Sequence, residues 1–365
     1  MVNWYRNRRA QKLLEQAMNA AQKGQYAEAA HLASAALVLQ PKNAEAYQQR
    51  AMWYHLAGQD DKALTDYEQA IQISPNNAAL YLERGNLKRQ QGDHEGAIAD
   101  YSQAIRLDPN SPEAYHARYE SHLAIDQLDK AIEDLSKAIQ LAPRAEYFRQ
   151  RAELYLLTGK RRQALADLER AVPSLESAYL QARAAASQQA DTARNQDLLA
   201  LVKEAYLAAL VQRAAIRQQE GDLPDALADV QAALTIDADY APAYNIRAKI
   251  SQQNGDSGAV QDFLQAIKLD PSQAAYYLNL ADLYFLAGAY QQARNVFEAL
   301  QKQISDDPIA QMGMIICDYA LGKRREAKAS WQTLAEQDAR LLNREQIQAI
   351  FSNHPNIAQV ALKLI

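Results

Sequence analysis

Apolar residues along the chain recur at steps of three and four, in stretches of about 13 residues, and the stretches come in pairs divided by a glycine. That spacing lays an apolar stripe along one face of an α-helix. A glycine between two such stretches predicts a tight turn, and so each pair reads as a helical hairpin. One hairpin buries its apolar face only against a neighbour, so the pattern predicts stacked hairpins.

The hairpins repeat in register. Pro41, Pro75, Pro109 and Pro143 are 34 residues apart. Ala29, Ala63, Ala97 and Ala131 share that spacing, and Ala164, Ala226, Ala259, Ala293 and Ala327 continue the series with one gap of 62. Gly24, Gly58, Gly92, Gly159, Gly221, Gly288 and Gly322 stand five residues before their alanines; Gly255 stands four before, and Asp126 replaces the glycine once. The glycine provides the positive φ that ends the first helix, the alanine lets two helices approach, and the proline cannot continue the second helix. Nine units follow: 10–43, 44–77, 78–111, 112–144, 145–178, 207–240, 241–273, 274–307 and 308–341.

The segment Ala78–Ser111, AALYLERGNLKRQQGDHEGAIADYSQAIRLDPNS, resembles a tetratricopeptide repeat almost residue for residue, and the resemblance runs through nearly the whole chain. It implies an all-α, right-handed superhelical solenoid of antiparallel helix pairs with a concave face built from the first helices.

Register also sorts the side chains. Tyr47, Tyr81, Tyr115, Tyr244 and Tyr277 share one position, Tyr54, Tyr155 and Tyr284 another, and Tyr67 and Tyr101 share a third with Phe263, Phe297 and Trp331. Packing between helices, with hydroxyls reaching the surface, accounts for them without an aromatic binding box. Arg50, Arg84, Arg118, Arg151, Arg213 and Arg247 occupy one place on the first helix. The same six repeats carry Asp66, Asp100, Asp134, Asp167, Asp229 and Asp262 on the second. The other three repeats lack both residues. Pairing within a repeat leaves no orphan, whereas pairing each aspartate with the next arginine strands Arg50 and Asp262. Ion pairs within each repeat are therefore expected, in preference to an arginine ladder that reads phosphates.

The 62-residue gap is too short for another regular unit. Residues 179–206 read as an irregular helical connector with a weak break at Ser187–Asn195, followed by a long helix to about Glu220. Residues 342–365 lack the repeat signature and read as two short helices, Asn343–Phe351 and Pro355–Leu364, capping the array. Residues 1–9 form a basic arm containing Arg6, Arg8 and Arg9.

Composition narrows the function classes. The 365 residues carry a net charge of -5, which argues against a general nucleic-acid binder. No apolar run is long enough to span a bilayer, and no secretory leader is apparent. The one cysteine, Cys317, reads as inert packing. Tyrosine outnumbers phenylalanine 20 to 5. No nucleotide-binding, nucleophile-elbow, zinc-protease or paired-cysteine motif occurs, so neither an enzyme nor a cofactor is expected. His116 and Glu120 lie one helical turn apart, but two ligands do not make a metal site.

The resemblance implies a protein-interaction scaffold that seats peptides or partner helices along the first helices. A self-associating structural protein and a carrier of metal or small ligand are the alternatives. In repeats two to five the implied inner places hold Met52, His55, Glu83, Asn86, Arg89, His116, Glu120, Arg149 and Glu153, a polar half. In repeats six to nine they hold Val211, Leu278, Phe285, Leu286, Ile309, Met312, Ile316 and Tyr319, an apolar half. Either the cap or a partner segment covers that apolar half, and Phe285 and Met312 are its expected anchors. The clamp that family members use for chaperone tails needs lysine where Gln48, Leu82 or His116 stands, so that partner is not expected. The variant AIADYSQA looks like those abundant in bacteria and implies a bacterial cytoplasm.

Overall fold

A computed structural model describes residues 2–187, 192–305 and 307–365. Among them every regular element is helical, and no helix is long and apolar enough to cross a membrane. The chain divides into two compact units, Met1–Ser174 and Leu175–Ile365.

Unit one contains α1 (Val2–Gln22), α2 (Tyr26–Leu39), α3 (Ala44–Leu56), α4 (Asp60–Ile73), α5 (Ala78–Gln90), α6 (His94–Leu107), α7 (Pro112–Ala124), α8 (Leu128–Leu141), α9 (Ala145–Leu157) and the start of α10 (Arg161–Ala186). Unit two continues with α11 (Thr192–Glu220), α12 (Leu223–Ile236), α13 (Ala241–Asn254), α14 (Ala259–Leu269), α15 (Ala274–Leu286), α16 (Tyr290–Gln303), α17 (Pro308–Ala320), α18 (Arg324–Gln337), a 3₁₀ turn (Ala339–Leu342), α19 (Arg344–Ile350) and α20 (Pro355–Ala361). Within each unit consecutive helices pair as hairpins, and the second helix of one hairpin packs on the first helix of the next.

The turns show why. Gly58 has φ 72°, its N–H donates to the His55 carbonyl, and Gln59 N–H donates to Tyr54 across 2.8 Å. This double closure satisfies two orphan carbonyls at the end of α3 and needs a left-handed residue between them. Asp126, with φ 58°, does the same work after α7, and Gln127 N–H reaches His122 at 2.8 Å. Helix starts are fixed by short polar caps: Asn43 accepts from Ala46 N–H and Ser111 from Ala114 N–H.

The core lies inside and between the hairpins. The nine register alanines are at most 3% exposed. They let the large second-helix residues, from Tyr67 and Tyr101 to Phe297 and Trp331, sink to 5% exposure or less. Each such side chain contributes about 1.5–3 kcal/mol when buried.

Two sequence expectations change in detail. Residues 2–9 are not a separate arm, because α1 begins at Val2. Pro173 lies inside α10, which runs on to Ala186. Of the break at Ser187–Asn195, Ser187 is a turn and Thr192 already starts α11, while residues 188–191 lie outside the described residues. Beyond α18, Trp331 donates its indole N–H to the Leu341 carbonyl at 3.1 Å, which ties the 3₁₀ turn to the last repeat.

Candidate functional site

The six arginines sit against the aspartates of their own repeats. Each guanidinium forks onto its carboxylate through Nε and Nη2 at 2.6–3.0 Å. The aspartates are at most 9% exposed, so these are bidentate pairs in a dry setting, the strong geometry for this chemistry. Nη1 is used too. Arg50 donates to Ser34 at 2.8 Å, Arg118 to Ser102 at 3.0 Å and Arg151 to Ser136 at 2.9 Å, each serine belonging to the preceding hairpin. The same arginines lie over tyrosine rings one turn back, Arg50 on Tyr47 and Arg118 on Tyr115. Arg50, Arg118 and Arg151 thus have all three guanidinium nitrogens engaged within the protein.

Three tyrosines of that position hydrogen-bond the turn before their helix. Tyr81 donates to the Pro75 carbonyl at 3.1 Å, Tyr244 to Ala238 at 2.9 Å and Tyr277 to Pro271 at 3.2 Å. A phenylalanine there would leave the carbonyl to water, which accounts for part of the tyrosine excess.

The first-helix face of unit one is polar and cross-linked between repeats. Gln48 donates to Glu83 at 2.9 Å, and burial pushes the Glu83 carboxyl above its usual range. Asn86 accepts from the Tyr101 hydroxyl at 2.9 Å. Arg89 meets Glu120 at 3.3 Å, His116 Nε2 meets Gln150 at 2.9 Å, and the His116 ring stacks on Tyr147. Arg149 pairs with Glu153, and His55 with Asp60 at 2.8 Å. His116 and Glu120 thus point to different partners. No group of three or more metal-ligating side chains occurs among the described residues.

One part of this face is apolar and open. Met18, Met52 and Leu56 are 48%, 45% and 49% exposed. With Ala21, Tyr26 and the buried Trp53 they line a groove of about 330 Å³ between α1 and α3.

The apolar half in unit two is closed. Leu278, Phe285, Met312 and Ile316 are at most 7% exposed, packed beneath Ile347, Phe351, Ile357 and Ala361 of the terminal helices. Ile309 and Tyr319 are half-buried in the same cluster, Val211 is half-buried on α11, and Leu286 is left exposed. Of the two occupants expected for this half, the chain's own cap is the one that covers Leu278, Phe285, Met312 and Ile316. Asp282 holds the cap in place. Its carboxylate accepts from Asn356 N–H at 3.1 Å, Ile357 N–H at 3.2 Å and Asn356 Nδ2 at 2.9 Å. Those amides are unpaired donors at the start of α20, where a negative charge is favoured. Lys249 and His354 lie in an adjoining polar pocket of about 420 Å³, and burial lowers the pKa of both.

Profiles of known families match two stretches. A TPR-repeat profile covers residues 53–88 and 85–118, and a tetratricopeptide-repeat profile covers 252–308. These stretches fall in both units and on the hairpins already described. Residues 53–118 and 252–308 therefore carry tetratricopeptide repeats.

No curated protein matches the sequence. Among solved structures, the tetratricopeptide-repeat protein YrrB, whose description mentions an unusual peptide-binding site, is 20% identical over 57% of this chain and 95% of its own, with a TM-score of 0.46. A tetratricopeptide repeat protein from Parabacteroides merdae is 18% identical over 75% and 98%, with a TM-score of 0.46. PilF of Pseudomonas aeruginosa is 14% identical over 67% and 99%, with a TM-score of 0.47.

Two features of these tetratricopeptide repeats escaped sequence reasoning. Met18 and Leu56 were visible as apolar residues, but only the packing of α1 on its neighbours shows them uncovered. Asp282 had a usable signal, a lone acid amid apolar first-helix residues. Such an acid needs a partner, and the partner is the start of α20.

Proposed function

We propose that this protein is an interaction scaffold that seats a segment of a partner protein on the first-helix face of unit one. One observation carries the reading: the exposed Met18–Met52–Leu56 groove opens onto a row of polar side chains running to Glu153. Exposed apolar surface rimmed by polar groups is the usual mark of an interface. An amphipathic helix or an extended peptide with one or two apolar anchors fits the groove, and the polar row fixes its register. On the corresponding face of unit two the cap fills the part built by α15 and α17, so the open apolar surface for a partner is that of unit one. Tetratricopeptide repeats are in general non-catalytic scaffolds, in keeping with this role. A bacterial cytoplasm is the compartment proposed, on the resemblance of AIADYSQA to bacterial repeats.

The test is capture from the native cell, read by mass spectrometry, with wild type against Met18→Glu/Met52→Glu. Both positions are exposed, so circular dichroism should be unchanged while the captured proteins are lost. Equal capture by the two forms overturns the assignment of the face. Light scattering distinguishes the self-associating alternative: a wild-type dimer that the double variant converts to monomer makes the partner a second copy.

A further inference from the structure

The start of α1 is exposed from Trp4 to Arg9. Asn7 accepts a hydrogen bond from Gln40 at 3.0 Å and so fastens the helix to the end of its hairpin. Residues 4–9 are all exposed, with Trp4 at 57% and Tyr5 at 67%. At 100° per residue, Ala10, Ala17 and Ala20 face the core, Trp4 and Arg8 fall on the opposite side with Lys12 and Tyr5 beside them, and Arg9 lies on the flank next to Ala20. Trp4 and Tyr5 stand edge to face at 5.1 Å, and the Arg8 guanidinium lies 5.1 Å from the Trp4 ring. No acidic residue precedes Glu15, although the whole chain carries a charge of -5. Arg6, Arg8, Arg9 and Lys12 make no ion pair with another described residue.

We infer that the amino-terminal end of α1 docks on an anionic lipid bilayer. The axial order of the side chains selects this partner. The two aromatic rings stand at the tip, and Arg8, Arg9 and Lys12 follow one to two turns behind, about 5–11 Å along the axis. Trp and Tyr favour the headgroup zone, while arginine and lysine are drawn to anionic headgroups. A tip-first approach places rings among the headgroups and cations over the phosphates. A nucleic-acid strand would instead favour stacking rings interleaved with the cations that follow its backbone. The surplus of local positive charge gives the complementarity, since the rest of the chain is acidic.

The intrinsic probe is favourable. Of the three tryptophans, Trp53 is 2% exposed and Trp331 is 0%, so a spectral change on binding reports Trp4. Full-length protein is titrated with phosphatidylcholine vesicles with and without phosphatidylglycerol, following co-sedimentation and tryptophan emission. Binding and a blue shift are expected only with the anionic lipid, weakening as salt is raised. Arg8→Ala/Arg9→Ala should lower vesicle affinity by about 30-fold, from about a fivefold contribution per cation. Trp4→Ala should abolish the blue shift while circular dichroism is unchanged. Met18→Glu/Met52→Glu should leave vesicle binding intact, which separates this surface from the partner groove. Absence of vesicle binding, binding to the neutral lipid alone, or anionic binding that both α1 variants leave unchanged overturns the inference. Tighter capture by a DNA duplex, lost in the same arginine variant, reassigns the surface to nucleic acid.

Discussion

An arginine that forks onto a buried aspartate and lends its third nitrogen to the neighbouring hairpin joins two repeats through one side chain. Arg118 does this between Asp134 and Ser102. Removing the acid alone strands a partly buried cation, so Asp134→Ala should cost about 3–5 kcal/mol in urea unfolding. Arg118→Met/Asp134→Leu should cost much less than the sum of the single changes. A coupling energy near zero would mean that the pair is incidental. A second residue-scale prediction concerns Gly85. A Cβ there would lie 2.7 Å from the Tyr101 ring, so Gly85→Ala should cost about 1–3 kcal/mol. Tyr101→Leu in the same chain should recover much of that loss if the collision is the cause. The arginine–aspartate pairing was legible because both residues appear in the same six repeats. Ser34, Ser102 and Ser136 were not, because the third contact crosses between repeats and glutamate replaces serine at position 68.

At the scale of elements, α20 is a seven-residue helix whose docking depends on Asp282 and on apolar contacts with α15 and α17. Asp282→Asn weakens the negative end of that contact and should loosen the cap by about 1–2 kcal/mol. Faster amide exchange at Asn356 and Ile357 would show it, and exchange equal to wild type would show that packing alone holds the cap. Deleting residues 355–365 should uncover Phe285 and Met312 and produce dye binding to exposed apolar surface. Acid should act in the same direction. Burial depresses the His354 pKa below its ordinary value of 6.5, so below that pH the unfolded chain takes up a proton that the folded cap resists. The histidine's contribution is therefore intact above pH 6.5 and declines as pH falls towards the depressed value. His354→Gln should reduce the loss of unfolding free energy between those pH values; identical pH profiles would exclude the histidine as its source. The existence of the cap was legible from the loss of repeat signature after Gln337. Its seat was open to two readings, since sequence spacing does not say which of two apolar surfaces finds the other.

For the whole molecule, the nine hairpins were legible from glycine, alanine and proline register, and the 62-residue gap marked an interruption after the fifth, close to the observed boundary between Ser174 and Leu175. Pro143 precedes a new helix, whereas Pro173, nine residues after its register alanine and not twelve, lies inside α10. The local rule for proline is the same, but the residues after Pro173 favour helix and carry it onward. The unit organisation implies uneven tolerance to shortening. Removing residues 78–111 brings the third turn of one standard hairpin against the start of another and preserves every within-repeat ion pair that remains. That variant should stay helical and unfold cooperatively at a somewhat lower denaturant midpoint. Removing 308–341 takes Met312 and Ile316 from beneath the cap and should give an aggregating or partly unfolded product. Equal behaviour of the two deletions, followed by circular dichroism and light scattering, would refute the distinction.

The hairpins that lack the arginine–aspartate pair are the first and the last two, and the six that carry it are consecutive. In a gene built by tandem duplication, unequal recombination changes copy number one unit at a time. Interchangeable interior units with self-contained ion pairs accept such events, because each arrives with its own charge already neutralised. The last two units are committed to α20 through Asp282, Met312 and Ile316, and a copy of either would carry half of that fitted surface with nothing to cover it. Length variation among descendants of this gene should therefore accumulate between repeats two and seven, with the final hairpins and their cap inherited as a single block.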